Sequence, residues 1–375
     1  MTSSHAPLLI AAVTGRALAA SALRGGYGVV VLDCFADRDT RALARACRSA
    51  AAPGVARLDA RGLLAAAAAL APPDRSAGLV YGSGFERRPR LLARLAAGRR
   101  LYGNAPAVVA AMKDPRRLFP LLRRLGIRHP ETRFTAPGVA TGWLIKQRGG
   151  AGGAHVRRAG TGRAGDYYQR FERGRSLSAL FLADGRRACV IGFNEQWVAA
   201  ARPTLPFLYG GAVGGITLPP DVARDVRVRL DALVAATGLV GLNGLDFLLR
   251  GRPPRWLALE VNPRPTATLQ LYDADYPRGL FDWHLRACAG ELPQRAARPR
   301  AARAHAIVYA PAAGYVSPAL AFPRWCRDLP DPGVRFAAGA PVCTVLAAAS
   351  DAARAAALVR RRQGLLERAL VEAAA

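Results

Sequence analysis

The chain has 375 residues, 51% of them apolar, which is enough for two or three domains with a real core and excludes wholesale disorder. A net charge of +28 would ordinarily point to nucleic acid or an acidic membrane surface. The arginines are spread along the whole chain, aromatics are only 7%, and no base-reading motif is present, so coding bias explains the charge and no specific nucleic acid is expected as partner.

Met1 to Pro7 lacks a basic leader, and the longest apolar stretch, 63–71, is too short to cross a membrane. Residues 8 to 33 read as strand, helix, strand: Leu8 to Val13, then Ala17 to Leu23, then Val29 to Leu32, ending on Asp33. This is a parallel β-α-β unit, as doubly wound sheets use, without G-x-G-x-x-G. Asp33, Asp37 and Asp39 follow at the strand's carboxyl end, either facing a ligand or forming a solvated acidic turn that caps the next helix. A further strand, Gly78 to Tyr81, leads into Gly82-Ser-Gly-Phe-Glu86.

Asp114-Pro115 opens a helix, with Asp as N-cap and Pro at the first position, directly after Lys113. Trp143 to Lys146 is a strand, and Gly149, Gly150, Gly152 and Gly153 make a glycine-rich turn into the next one. Such a turn lets backbone N–H groups approach phosphate; it also serves an ordinary hairpin, and no Lys-Ser/Thr follows as a Walker A loop requires. Strands and turns continue through Gln169 to Gly174 and Val190 to Trp197, and Asp221 to Thr237 is a helix. Asp246 and Glu260 to Asn262 then lie on a predicted hairpin turning across 250–255, with Glu260 and Asn262 on one face. Buried carboxylates there need a cation, either magnesium or arginine.

Lysine and arginine total 54, yet only Lys113 and Lys146 are lysines. Where arginine has replaced lysine nearly everywhere, a remaining lysine marks a place that wants a compact point charge, such as a tight phosphate pocket. The six cysteines are scattered with no C-x-x-C and read as reduced thiols in a cytoplasmic protein.

Taken in order, Lys113, Lys146, the turn 149–153, Gln169-Arg-Phe-Glu-Arg-Gly174, Asp246 and Glu260-Val-Asn262-Pro-Arg264 resemble the ATP-grasp superfamily. Thr14 to Ala19, Asp37-x-Asp39-Thr40, Tyr81 to Glu86 and the tail from Trp325 to Thr344 are similar to its branch of predicted ATP-dependent carboligases related to biotin carboxylase. The tyramine–glutamate ligases of methanofuran synthesis are more distantly similar. The resemblance implies an α/β and α+β chain: a doubly wound parallel-sheet domain at 1–104, an ATP-grasp fold of two α+β subdomains at 105–296, and a small β-containing cap at 297–375.

It further implies ATP and Mg2+ (or Mn2+), with Lys113 and Lys146 on the α- and β-phosphates and the glycines over the β- and γ-phosphates. Adenine would lie by the backbone of Arg170 and Phe171 with Gln169 near its amino group. Ser176 replaces the acid that often holds the ribose. Asp246, Glu260 and Asn262 would hold the metal, and Arg264, acting with Lys146, would face the transferring phosphoryl group. The implied reaction joins a small carboxylate to an amine through an acyl phosphate, in C1-carrier cofactor synthesis, by a chain that can pair as a homodimer. A bicarbonate-using carboxylase is the enzymatic alternative and a basic nucleic-acid binder the non-enzymatic one.

Overall fold

A computed structural model describes residues 6–52, 54–158, 162–199 and 204–372. Residues 1–5, on which part of the leaderless reading rests, lie outside the described residues.

Near the N-terminus, three short apolar runs buried on both faces, flanked by two less buried edge strands, form a five-stranded parallel sheet, as β-α-β units require. Its order across the sheet is 46–49, 29–33, 8–11, 78–81, 101–102. The chain winds outward in one direction from Leu8–Ala11 and in the other from Gly78–Tyr81, so the switch point lies between the carboxyl ends of these two strands. Open α/β sheets place ligands at such a crevice. Residues 12–16 and 82–86 leave from it.

The acidic turn after this sheet is neither solvated nor idle. The buried Asp33 carboxylate accepts from Gly15 N (2.9 Å), Phe35 N (3.0 Å) and Ala36 N (2.7 Å). Asp39 accepts from the backbone of Asp328 and Leu329, both at 2.9 Å. Arg16, also buried, donates Nε to Asp328 (3.1 Å) and Nη2 to Gln270 (2.7 Å). The start of the chain is thereby clasped to residues 254 to 312 positions later.

Four short strands (132–133, 166–170, 143–147, 156–158) form a second, antiparallel sheet. An eight-stranded antiparallel sheet follows, ordered 255–262, 240–250, 175–184, 188–198, 209–214, 302–309, 341–349, 326–327. Alternation along Arg175–Asp184 splits the core between its faces. Leu177, Ala179 and Phe181 meet the helices Pro115–Arg124 and Pro220–Thr237. Leu180 and Leu182 meet Leu280, Phe281 and Leu285 of helix Gly279–Cys288, in a core that also takes in Leu8 and Ile10. Strands 302–309, 341–349 and 326–327 continue this same sheet, 314–315 pairs with 335–336 in a separate two-stranded ladder, and helix Ala352–Glu372 covers the end of the large sheet. Among the described residues no helix is long and apolar enough to cross a membrane.

Candidate active site

The two lysines come together from different elements. Lys146 is buried on strand Trp143–Gln147, on the face opposite Trp143 and Ile145, with its ammonium 5.9 Å from the ring centroid of Tyr167. Its Nζ donates to Gln169 Oε1 (3.1 Å), and burial pushes its pKa down against the pull of Glu260 and Asp246. Lys113 ends helix Pro106–Met112; Asp114 then caps the next helix by accepting from Arg116 N (3.0 Å). From that corner Lys113 Nζ reaches Glu260 Oε1 and Asn262 Oδ1, the latter at 2.8 Å.

The hairpin expected across 250–255 forms, pairing Asp246 with Glu260 directly across the ladder. Asn262 Nδ2 donates to Asp246 Oδ2 (2.9 Å) and Gln196 Nε2 to Asp246 Oδ1 (3.0 Å). Burial, and then the facing Glu260 charge, raise the Asp246 pKa to about 6. Burial pushes Glu260 up as well, but Lys113, His155 and Lys146 outweigh it and hold the group at about 2. The cluster thus compensates itself with a lysine, where the sequence left magnesium and arginine open.

Its donor set fits a hard divalent cation. Two carboxylates and an amide oxygen converge, and Lys113 already places a cation against Glu260 and Asn262. Among the described residues no group of three or more His, Cys, Asp or Glu is placed to hold a metal by itself. Magnesium commonly leaves the remaining positions to water and phosphate oxygens.

The glycine-rich turn closes over this cluster. At Gly149 (φ +71°) a Cβ would lie 2.7 Å from Arg87 Cγ, and at Gly153 (φ +78°) 1.7 Å from the Phe207 carbonyl oxygen. Both positions therefore need glycine. Tyr209 N donates to Gly152 O (3.0 Å), and Arg87 Nη1 to Gln147 Oε1 (2.6 Å), fastening the turn on both flanks. Lys113, Gln147, Gly149, Gly150, His155 and Glu260 share the wall of a narrow cavity beneath it. Arg264 follows the hairpin, its Nε donating to Glu86 Oε1 (2.5 Å). Burial works to raise the Glu86 pKa, but the Arg264 and Lys113 charges carry it below the usual carboxylate value. The site as a whole offers cationic groups and turn backbone on one side and carboxylates on the other, which suits a polyphosphate with its metal.

Residues 112–268 match the family model of the ATP-grasp domain. The chain carries an ATP-grasp domain. No curated protein matches the chain in sequence. Among solved structures, it is similar to the biotin carboxylase domain of Hydrogenobacter thermophilus 2-oxoglutarate carboxylase, a dimer in complex with MgADP, ADP and bicarbonate. Identity there is 13%, TM-score 0.71, covering 94% of this chain and 88% of that one. Thermotoga maritima N5-carboxyaminoimidazole ribonucleotide synthetase gives 15% identity and TM-score 0.67 over 96% and 98%. Bacillus licheniformis L-amino acid ligase gives 13% and 0.67 over 96% and 97%. These likenesses establish the fold, one shared by ligases and carboxylases.

The hinge of the ATP-grasp domain is placed less simply. Gln169 is buried and spent on Lys146 and on Thr132, to whose Oγ1 its Nε2 donates (3.2 Å). Arg170 N donates to Glu131 O and Phe171 N to Gly142 O, both at 2.8 Å, so these two N–H groups are already used within the sheet. Ser176 lies on strand Arg175–Asp184, on the same face as Ser178, which pairs with Asp246. Sequence reasoning missed Glu86 and Gln196 as site neighbours. Both sit far along the chain from what they touch; only the Tyr81 to Glu86 stretch, read as a family likeness, pointed at the first.

Proposed function

We propose that the chain is an ATP- and magnesium-dependent carboxylate–amine ligase. The observation that carries this reading is the convergence of the chain's two lysines on the Asp246–Glu260–Asn262 cluster beneath the glycine-rich turn. Asp246, Glu260 and Asn262 would hold the magnesium, which when bound neutralises phosphate charge and orients the phosphates. Lys146, held by Gln169, and Lys113 would take the α- and β-phosphates. For the metal to reach Glu260 and Asn262, the Lys113 ammonium has to leave them, and the incoming phosphate is its natural new partner.

Phosphoryl transfer depends on positioning and charge neutralisation more than on covalent help from the protein. A substrate carboxylate oxygen attacks the γ-phosphorus and the bond to ADP breaks, giving an acyl phosphate. Arg264, oriented by Glu86, faces the charge on the transferring group. An amine nitrogen then attacks the acyl carbon, loses a proton and expels phosphate. The closed turn 149–153 keeps water from the acyl phosphate. Adenine and ribose would lie by 170–176, through carbonyl groups and the N–H groups beyond Phe171. The bicarbonate in the Hydrogenobacter structure makes carboxylation the second reading.

ADP release measured over a panel of carboxylates crossed with amines, with bicarbonate as a separate arm, tests both. A product mass equal to acid plus amine minus water supports the ligase. Turnover with bicarbonate alone as the acid favours the carboxylase, and failure to bind Mg-ATP overturns both.

A further inference from the structure

Among the described residues, few buried side-chain atoms lack a hydrogen-bond partner; Nδ1 of His155 is one, and His155 is among the residues lining the cavity beneath the glycine-rich turn. The residue stands just past that turn. Its carbonyl accepts from Gln147 N (3.3 Å), bending the chain back so that the ring returns over the glycines it has just left. The ring rests on Gly150, where a Cβ would come within 2.0 Å of the imidazole Cγ. Gly150 thus supplies the seat for an aromatic ring in the wall that Lys113 and Glu260 also line. Burial drives the imidazole pKa down to about 4, and the Lys146 and Lys113 charges add to this against Glu260 and a backbone interaction at Ala151, so the ring is neutral at physiological pH.

A buried polar atom left without a partner costs about 1–3 kcal/mol, and on a residue that lines a cavity it can be answered by what enters the cavity. We infer that His155 is a nucleotide-contacting residue whose Nδ1–H donates to an oxygen of the β- or γ-phosphate. The inference rests on the ATP reading above and adds to it a residue outside the lysines, the turn glycines and the metal cluster. Position selects the phosphate end over the base, since the ring shares its wall with Lys113 and Glu260, whereas the hinge 169–171 lies at the end of strand Asp166–Arg170, on the far side of strand Trp143–Gln147 from the strand that His155 leads into. Chemistry selects a neutral donor: beside two buried lysines, a third fixed cation would be repelled in the empty site, while an imidazole donates without one. Either ring nitrogen can carry the proton, and the phosphate oxygen selects the tautomer with hydrogen on Nδ1.

Titration calorimetry on the full chain tests this with Mg-ATP, Mg-ADP and AMP against wild type, His155→Phe and His155→Asn. Phenylalanine keeps a ring over Gly150 without a nitrogen; asparagine restores a donor near the Nδ1 position. The expected result is a roughly tenfold loss of Mg-ATP affinity in His155→Phe, about 1.4 kcal/mol, with AMP affinity within about twofold of wild type and partial recovery in His155→Asn. Wild-type Mg-ATP affinity in His155→Phe overturns the inference and leaves the nucleotide reading intact. An equal loss for AMP and ATP, or loss of the folded state in both variants, overturns it too, because the ring would then serve packing alone. Wild-type protein that binds none of the three overturns the nucleotide reading itself, and this inference with it.

Discussion

Two regions of the molecule bury charge, and they do so differently. In the clasp between residues 14–39 and 328–331, Arg16 and Asp328 hold each other, Asp33 is saturated by three backbone N–H groups, and Asp39 by two. In the cluster proposed as a nucleotide cradle, Lys113 holds Glu260 and Asn262, Asp246 lies against another carboxylate, and His155 has a bare nitrogen. The clasp resembles a finished structure whose partners are permanent. The cradle is compensated only provisionally, by groups that a metal and a polyphosphate would redistribute. Buried charge therefore serves stability in the first region and exchange in the second.

Removing charge should separate the two. Glu260→Gln is expected to lower Mg-ATP-dependent turnover by roughly a thousandfold or more. Its ligand-free melting temperature should fall only by a few degrees, since Asn262 still accepts from Lys113 while repulsion with Asp246 is relieved. A collapse of ligand-free stability would make the cradle a fixed scaffold and erase the contrast. Asp328→Ala should do the reverse, costing about 3–5 kcal/mol in denaturant unfolding by stranding buried Arg16. Burial works to raise the Asp328 pKa, but Arg16 and its hydrogen bonds hold it low. Its contribution is thus present above the unfolded carboxylate pKa and lost as pH falls through the folded value.

Lys146→Arg keeps the charge but not the shape, and turnover or ATP affinity should drop about tenfold, whereas replacing exposed Arg148 should change little. The smallest effect sharpens the clasp. Burial, then the Asp328 charge, raise the Asp37 pKa to about 8, so between pH 4 and 8 the folded state holds a proton that the unfolded chain has lost. Stability should therefore decline as pH rises across that window. Asp37→Asn should flatten the decline and raise the melting temperature at pH 8 by a few degrees, with no change at pH 4; an unaltered slope would show that Asp37 titrates normally.

Much of the cradle was legible because its signals are local. The glycines of 149–153, the Asp114-Pro115 cap and the hairpin bearing Asp246 and Glu260 each lie within a few residues of one another, where periodicity and turn chemistry act. The two lysines stood out through scarcity. What could not be read were the pairings: Lys113 meets Glu260 147 residues on, Arg264 meets Glu86 178 residues back, and Arg16 meets Asp328 across 312. Those depend on how three sheets dock, which no local pattern encodes. The acids after Val29–Asp33 stayed ambiguous for the same reason, because their partner segment comes near the end of the chain.

The continuity of the eight-stranded sheet has a practical consequence for dissecting the molecule. Strand Ala302–Tyr309 lies between Tyr209–Gly214 and Pro341–Ala349, and its side chains also grip Tyr209: His305 Nε2 meets the Tyr209 hydroxyl (2.7 Å), and the Tyr309 hydroxyl donates to the Tyr209 carbonyl (2.8 Å). A fragment cut after residue 296 would leave 209–214 as a raw, glycine-rich edge, open to pairing with other chains. It would also release the residue whose N–H tethers Gly152. Such a fragment, although it spans all of 112–268, should aggregate on expression and close poorly over nucleotide, so the minimal working unit runs through the final helix.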